Sequence, residues 1–131
     1  MKSFIKIKET CLYIRDLEGA LSFYRDKLGL DVIDYQESRH AFFRVGSSVL
    51  LCFNPDNSRH KTSPPPHYAE GNQHYAFEVS KTDYEHCRKQ IADAGIEIID
   101  TLTWKNGQQS FYFHDHEKNV LEIVPEGVWG D

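Results

Sequence analysis

The sequence Glu9-Thr-Cys-Leu-Tyr-Ile14 returns in altered form as His74-Tyr-Ala-Phe-Glu-Val79. Each stretch has the alternating side chains of a strand, and each is followed by apolar residues at helical spacing and then by a glycine. The glycine comes 20 positions after the opening residue in the first copy and 21 positions after it in the second. A duplicated β-α-β unit explains this agreement, and it predicts that Glu9 and His74 occupy equivalent places on equivalent strands.

Helices and further strands follow from the same patterns. Apolar spacing predicts helices over residues 16–28 and 82–94, with Asp16 capping the first and Ser80 or Thr82 capping the second. A short apolar strand follows the glycine after each helix, and two more strands complete each copy as a β-α-β-β-β module. The strands predicted after the helices span residues 30–33, 40–45 and 48–53 in the first copy, and 96–99, 109–114 and 119–124 in the second.

We therefore predict a single glyoxalase-like α+β domain over residues 1–131, in which two tandem modules form a curved mixed sheet around a cavity. Module one spans residues 4–53, module two spans 73–125, and 126–131 form a C-terminal tail. Residues 54–72 are predicted to be a linker because proline and glycine are concentrated there. A linker of this length inside a small domain is usually either functional or disordered.

The composition argues against a nucleic-acid or membrane partner. The chain carries 15 Lys and Arg against 20 Asp and Glu, a formal net charge of −5, whereas nucleic-acid surfaces need clustered basic residues. Charged residues interrupt every apolar run, so we expect neither a membrane span nor a signal peptide. The three cysteines lack CxxC spacing, which argues against a disulfide framework or a thiolate zinc site. We expect a cytoplasmic protein that binds a small molecule.

Strand parity indicates a candidate metal site. The more apolar face of each strand should lie under a helix, which leaves Glu9 and His74 on the open side. Glu122 lies between Leu121 and Ile123, so it points away from the helix as well. Two carboxylates and an imidazole balance a divalent cation, and these donors suit zinc, nickel, manganese or iron better than calcium. Taken singly, Glu9 could be a solvated strand residue and His74 a hydrogen-bonded core histidine.

The sequence also resembles the vicinal oxygen chelate superfamily, which includes glyoxalase I, bleomycin-resistance proteins, fosfomycin-inactivating thiol transferases and extradiol dioxygenases. The resemblance implies paired modules in a homodimer whose sheets wrap around a metal site. It is nearest to the fosfomycin branch, which implies a thiol cosubstrate. The segments that carry it are Ile14-Arg-Asp-Leu-Glu-Gly-Ala-Leu-Ser-Phe-Tyr24 with Leu28-Gly29, His74-Tyr-Ala-Phe-Glu-Val79, and Ser110-Phe-Tyr-Phe-His-Asp115 with Val120-Leu-Glu-Ile123.

The resemblance implies metal ligands residue by residue. Glu9 stands where the family usually has its first His, while His74 and Glu122 match the usual second His and the Glu. The fourth ligand of glyoxalase I would fall near Leu51, which cannot bind a metal. Two departures separate the chain from the fosfomycin branch. Cys11 replaces its catalytic Thr, and no basic residue follows Glu122 to replace its phosphonate-binding Arg.

These ligands predict a metal that acts as a Lewis acid on a substrate with adjacent oxygens, while Glu122 or Glu9 serves as general base. An isomerase, lyase or thiol transferase of glyoxalase type is favoured, because an oxygen-activating dioxygenase normally needs two His and one carboxylate. The alternative is a metal-free binding module of the bleomycin-resistance type. We expect substrate contacts from the side chains that line the cavity or its mouth: Cys11, Phe53, Trp104, Ser110 and Tyr112.

Overall fold

The computed structural model describes residues 2–130. By its internal contacts the chain divides into two compact units, of which the first ends at Glu70 and the second begins at Gly71. The first unit contains β1 (Glu9–Tyr13), α1 (Leu17–Ala20), a π-helical segment (Leu21–Lys27), β2 (Asp31–Gln36), β3 (His40–Val45), β4 (Ser48–Phe53) and α2 (Pro55–Ser58). The second contains β5 (His74–Val79), α3 (Tyr84–Asp93), β6 (Asp100–Thr103), β7 (Gln109–His114) and β8 (Val120–Pro125).

Each unit contains one four-stranded mixed sheet. The strand orders are β1-β4-β3-β2 and β5-β8-β7-β6. In both sheets the opening strand pairs in parallel with the closing strand, and the remaining pairs are antiparallel. Because the two sheets repeat one topology, the prediction of tandem β-α-β-β-β modules in an α+β, glyoxalase-like fold is confirmed.

The first helix differs from its prediction as one α-helix over residues 16–28. Asp16 is the N-cap as expected, and its Oδ1 accepts a hydrogen bond of 2.9 Å from the backbone N–H of Gly19. After one α-helical turn the chain widens into the π-helical segment. The consecutive aromatic residues Phe23 and Tyr24 are both buried there, with 6% and 0% exposure. The α-helical periodicity of the sequence does not predict this change, because that periodicity assumes the same rotation per residue along the whole helix.

The second helix, α3, is shorter than predicted at each end. Ser80 accepts a hydrogen bond of 3.2 Å from the backbone N–H of Asp83, in the turn before the helix. Asp83 is the N-cap residue, without a side-chain capping bond of its own. Ser80 therefore stabilises the entry to the helix rather than its first turn.

The predicted strand over residues 96–99 is wrong. Strand β6 begins at Asp100, which pairs with Tyr112 on β7. Before it, the N–H of Ile96 still bonds to the carbonyl of Ile91 at 3.3 Å, so the chain there is completing the helix end. The apolar side chain of Ile96 is buried, with 7% exposure, although its backbone does not pair with the sheet.

The face of each sheet that packs against the helix carries the core. In the first unit the rings of Tyr24 and Phe43 lie 5.5 Å apart, and in the second the ring of Tyr84 lies 5.6 Å from that of Phe111. Fully burying one large apolar side chain contributes roughly 1.5–3 kcal/mol. The predicted parity agrees with burial on β1 and β5, where the helix-facing residues are less exposed than their neighbours, while on β8 both faces are buried. The residues nearly inaccessible to solvent include Leu12, Ile14, Phe43, Leu50, Phe111, Phe113, Leu121 and Ile123.

Residues 54–70 are folded onto the first unit. Asn54 caps α2 by accepting a hydrogen bond of 3.0 Å from the N–H of Asp56. The guanidinium group of Arg15 pairs with Asp56 at 3.2 Å and with Glu70 at 2.8 Å. The predicted linker thus has specific contacts up to Glu70. Within residues 2–130, no helix has both the length and the apolar character that a membrane span requires.

Candidate metal centre

His74 opens β5, and its imidazole has a defined tautomer. Its Nδ1 lies 2.8 Å from the backbone carbonyl oxygen of Val120 on the adjacent strand. Since a carbonyl oxygen only accepts, Nδ1 carries the proton. In the neutral ring, Nε2 therefore presents a lone pair, and it lies 3.4 Å from Oε1 of Glu122.

Glu122 is a buried carboxylate on β8, with 5% exposure, between the core residues Leu121 and Ile123. Its Oε2 is buried and has no hydrogen-bond partner within residues 2–130. A buried carboxylate oxygen without a partner is costly, and in the neutral tautomer the lone pairs of Nε2 and Oε1 repel at 3.4 Å. The arrangement is relieved by a proton or a cation between His74 and Glu122. It therefore fits a divalent metal, because metal-bound imidazoles commonly donate their other N–H to a carbonyl group.

Tyr112 lies beside this pair. It is directly opposite Glu122 in the β7–β8 register, and its ring lies 6.2 Å from that of His74. The pKa of Tyr112 is raised from its ordinary value, chiefly by burial and further by Glu122, while Ser110 opposes the rise. Tyr112 therefore keeps its hydroxyl proton at neutral pH and can donate it in a hydrogen bond.

The predicted substrate contacts Ser110 and Trp104 are joined to each other. Ser110 is fully buried, and its Oγ accepts a hydrogen bond of 3.0 Å from the indole N–H of Trp104. The ring of Trp104 also contacts that of Trp129 at 5.2 Å. These contacts hold the Trp104 ring against the strand that carries Tyr112.

The remaining predicted site residues lie on β1 and β4 of the first unit. Glu9 and Cys11 are exposed on the face opposite the buried Leu12. Partial desolvation of the thiol by neighbouring atoms, and then the charge of Glu9, raise the pKa of Cys11, which keeps it a protonated thiol at neutral pH. Phe53 is largely buried, with 8% exposure.

Two of the three predicted metal ligands are thus seen in contact. His74 and Glu122 face each other within one sheet, whereas Glu9 belongs to the other unit and its part in the site stays a prediction. Among residues 2–130, no three His, Cys, Asp or Glu side chains form a group that could hold a metal ion. The carbonyl of Val120 is not predictable from side-chain alternation, and its place opposite His74 follows only once the parallel pairing of β5 with β8 is known.

Comparison with known proteins supports a shared ancestry over nearly the whole chain. A solved structure of lactoylglutathione lyase from Agrobacterium tumefaciens is 30% identical, with a TM-score of 0.93 over 98% of this chain and 99% of that one. Metallothiol transferase FosB of Staphylococcus haemolyticus is 25% identical over 84% of this chain and 76% of its own length.

A third structure shares the fold at lower identity. The fosfomycin resistance protein FosX from Listeria monocytogenes, solved as an E126Q variant with Mn(II) and 1S,2S-dihydroxypropylphosphonic acid, is 16% identical. Its TM-score is 0.67 over 92% of this chain and 90% of that one. The sequence model of one family matches residues 6–123. The chain therefore belongs to the Glyoxalase/Bleomycin resistance protein/Dioxygenase superfamily.

Proposed function

We propose that this protein is a divalent-metal-dependent enzyme of glyoxalase type, acting as an isomerase, lyase or thiol transferase on a small substrate that chelates through adjacent oxygens. The observation that carries the proposal is the position of His74 Nε2, 3.4 Å from the buried carboxylate of Glu122. The relatives support the same chemistry, since one is a lactoylglutathione lyase and another a metallothiol transferase.

The proposed ligands are His74 Nε2, the carboxylate of Glu122, and Glu9 as the third group. Imidazole and carboxylate donors suit zinc, nickel, manganese or iron. A bound metal of this kind would act as a Lewis acid and polarise a substrate oxygen. The carbonyl of Val120 would keep the His74 ring in the tautomer that such binding needs.

The side chains around the pair have complementary roles in the proposed reaction. Glu122, or Glu9, would act as general base on a proton next to a substrate carbonyl. Tyr112 would donate its hydroxyl hydrogen to a substrate oxygen close to that base. The further substrate contacts would come from Cys11 and Ser110 and from the aromatic residues Phe53 and Trp104.

We further propose a homodimer, in which Glu9 of the same chain or of the second copy completes the site. Strand β1 is an edge strand of its sheet, and an unpaired edge favours association. The residues just before it expose apolar side chains, with Phe4 76%, Ile5 93% and Ile7 80% accessible. Such surface is commonly covered in an interface between proteins.

Metal binding tests the proposal directly. The purified protein, stripped with a chelator, should bind zinc, nickel, manganese or iron in a calorimetric titration. His74→Ala should weaken binding by more than about 100-fold, beyond the 10–100-fold typical of residues that only support a ligand. The matched control is His86→Ala, an exposed histidine on α3, which should bind like wild type. Failure of the wild-type protein to bind any of these metals would overturn the proposal.

A metal-free binding module is the second candidate, favoured by the aromatic cluster around Phe53. The rings of Tyr13, Phe42 and His67 lie 6.5, 5.3 and 4.7 Å from that of Phe53. Thermal unfolding distinguishes the candidates, because a ligand that binds only the native state raises its stability. A protein stabilised by flat aromatic compounds and by no metal is the module. One stabilised by a metal, and then by glutathione adducts, 2-oxo aldehydes or epoxides, is the enzyme.

A further inference from the structure

His67 is held in one orientation by a residue of the first strand. Its Nδ1 lies 2.7 Å from the hydroxyl oxygen of Tyr13. Burial, and then the neighbouring Cys11, raise the pKa of Tyr13, so the tyrosine keeps its proton and is able to donate it to Nδ1. A neutral imidazole that accepts at Nδ1 carries its own proton on Nε2. With Tyr13 as the donor, Nε2 is therefore a hydrogen-bond donor.

The backbone of His67 is fixed as well. The fully buried Ser58 donates its hydroxyl hydrogen to the carbonyl oxygen of His67 at 2.7 Å, and the His67 N–H donates to the Ser58 carbonyl at 3.3 Å. Arg15 holds Asp56 and Glu70, which lie on either side of His67 in the chain. Ordering this histidine on binding a ligand would therefore cost little conformational entropy.

The donor at Nε2 is not used within the protein. Across the part of the chain that the structure describes, the side-chain hydrogen bond of His67 is made at Nδ1, and Nε2 is not among the buried polar atoms that lack a partner, so it is accessible to solvent. The imidazole ring packs edge-on against Phe53, with ring centres 4.7 Å apart and planes at 85°. A hydrogen-bond donor thus sits beside an apolar ring.

A positive charge lies near the same ring. The ammonium nitrogen of Lys61 is 5.6 Å from the centre of the Phe53 ring. Within residues 2–130, Lys61 has no carboxylate at ion-pair distance, unlike Arg15, whose charge is balanced by two. Lys61 and His67 are thus both close to the Phe53 ring.

We propose that Lys61 and His67, which both contact the buried Phe53 ring, form a binding site for a small organic oxyanion, in which His67 Nδ1 accepts from Tyr13, His67 Nε2–H donates to a carboxylate or phosphate oxygen, and Lys61 supplies the opposite charge. Charge-assisted hydrogen bonds of this kind are stronger than neutral ones. The site uses neither His74 nor Glu122, so it stands whether or not a metal binds to that pair.

An NMR titration tests the site in the full chain. Protein with ¹⁵N-labelled histidine is titrated with benzoate and with inorganic phosphate at about pH 8, where histidine is neutral. Sodium chloride at equal ionic strength is the control for unspecific screening. The Nε2 resonance of His67 should move in a saturable way with the oxyanions alone. An equal response to chloride, or none at all, would overturn the site.

Two replacements of His67 separate its two nitrogens. In His67→Asn the amide group takes the place of Nδ1, so the contact with Tyr13 is kept and the outward donor is lost. In His67→Gln the amide reaches the place of Nε2, so a donor is kept. We expect benzoate affinity to fall about 10-fold in the Asn variant, as for a lost hydrogen bond to a charged group, and to fall less in the Gln variant.

Lys61→Gln removes the charge and should also weaken benzoate binding severalfold, with a smaller dependence on salt. His60→Asn, an exposed histidine in the same segment, is the matched control and should bind like wild type. Backbone amide spectra establish that each variant is folded. Binding unchanged in both His67→Asn and Lys61→Gln would refute the proposal, and a loss in His60→Asn would assign the effect to the segment as a whole.

Discussion

At the scale of single residues, Glu122 has conflicting effects on stability and on ligand binding. It is a carboxylate inside a core strand, and one of its oxygens lacks a hydrogen-bond partner among residues 2–130. Such a group lowers the stability of the metal-free protein, because its charge loses hydration without full compensation. The lone pairs of the oxygen that lacks a partner are the ones that a cation would use. Stability and metal affinity should therefore respond in opposite directions when its charge is removed.

The change Glu122→Gln tests this opposition. Gln keeps the size of the side chain and removes the charge, so the metal-free protein should become more stable by about 1 kcal/mol in urea unfolding. Metal affinity, measured by calorimetry, should fall by more than about 100-fold, since a neutral amide is a poor ligand. Glu126→Gln, at an exposed position, should change neither quantity. A metal-free Glu122→Gln protein that is less stable than wild type would contradict this account.

The sequence predicted Glu122 but not its surroundings. An acid between two core aliphatics is conspicuous in a strand pattern, and so is the opening His74 of a repeated unit. The tautomer of His74 depends on the carbonyl of Val120, 46 residues away, and that partner is determined by strand register. Side-chain alternation gives the face of a residue but not the neighbour with which it pairs.

At the scale of elements, strands bounded by turns were predictable and the segments between modules were not. The predicted strands 40–45, 48–53 and 109–114 coincide with β3, β4 and β7. The strand predicted over residues 96–99 is wrong because Ile96 still completes the end of α3, and backbone bonding to β7 begins only at Ile99, whose N–H donates to the Tyr112 carbonyl at 2.8 Å. The structure of residues 54–70 depends on Arg15, which lies 41 and 55 positions from its partners. A local sequence pattern does not reveal a contact between residues that are so far apart in the sequence.

The Arg15 contacts predict how residues 59–69 respond to pH. Hydrogen bonds from Arg15 lower the pKa values of Asp56 and Glu70. A lowered carboxyl pKa gives stability that is present above the unfolded values, about 3.9 and 4.3, and that is lost as pH falls through the folded values. After correction for intrinsic rates, hydrogen exchange of the hydrogen-bonded amides of Arg59, His60 and His67 should therefore rise below about pH 4.

The variant Arg15→Gln should show the faster exchange of these amides already at neutral pH, where wild type is protected. Arg44→Gln is the matched control, because Arg44 is exposed on β3 away from this segment. Equal protection in Arg15→Gln and wild type would mean that hydrogen bonds such as those of Ser58 suffice to hold the segment. The ion pairs of Arg15 are exposed and are screened by salt, so high ionic strength should reduce the difference in exchange between Arg15→Gln and wild type.

At the scale of the whole molecule, duplication explains why two equivalent strands carry the candidate ligands. Each unit repeats one strand order, and Glu9 opens β1 as His74 opens β5. The sequence could therefore predict the fold from two copies of one pattern, each of which supports the other. It could not establish which copy of Glu9 would meet a given His74, because side-chain periodicity describes a chain and not an assembly.

Complementation between chains tests whether the Glu9 and His74 of one site come from the same chain or from two copies. Glu9→Gln should weaken metal binding because it removes a negative charge at constant size, whereas Glu9→His should largely retain it, since carboxylate and imidazole both suit the same cations. If the proposed homodimer builds its site between copies, mixing Glu9→Gln with His74→Ala protein should restore one intact site in each mixed dimer. If each site lies within one chain, mixing restores nothing. Metal occupancy after mixing distinguishes these cases, and an unaltered affinity in Glu9→Gln would remove Glu9 from the site altogether.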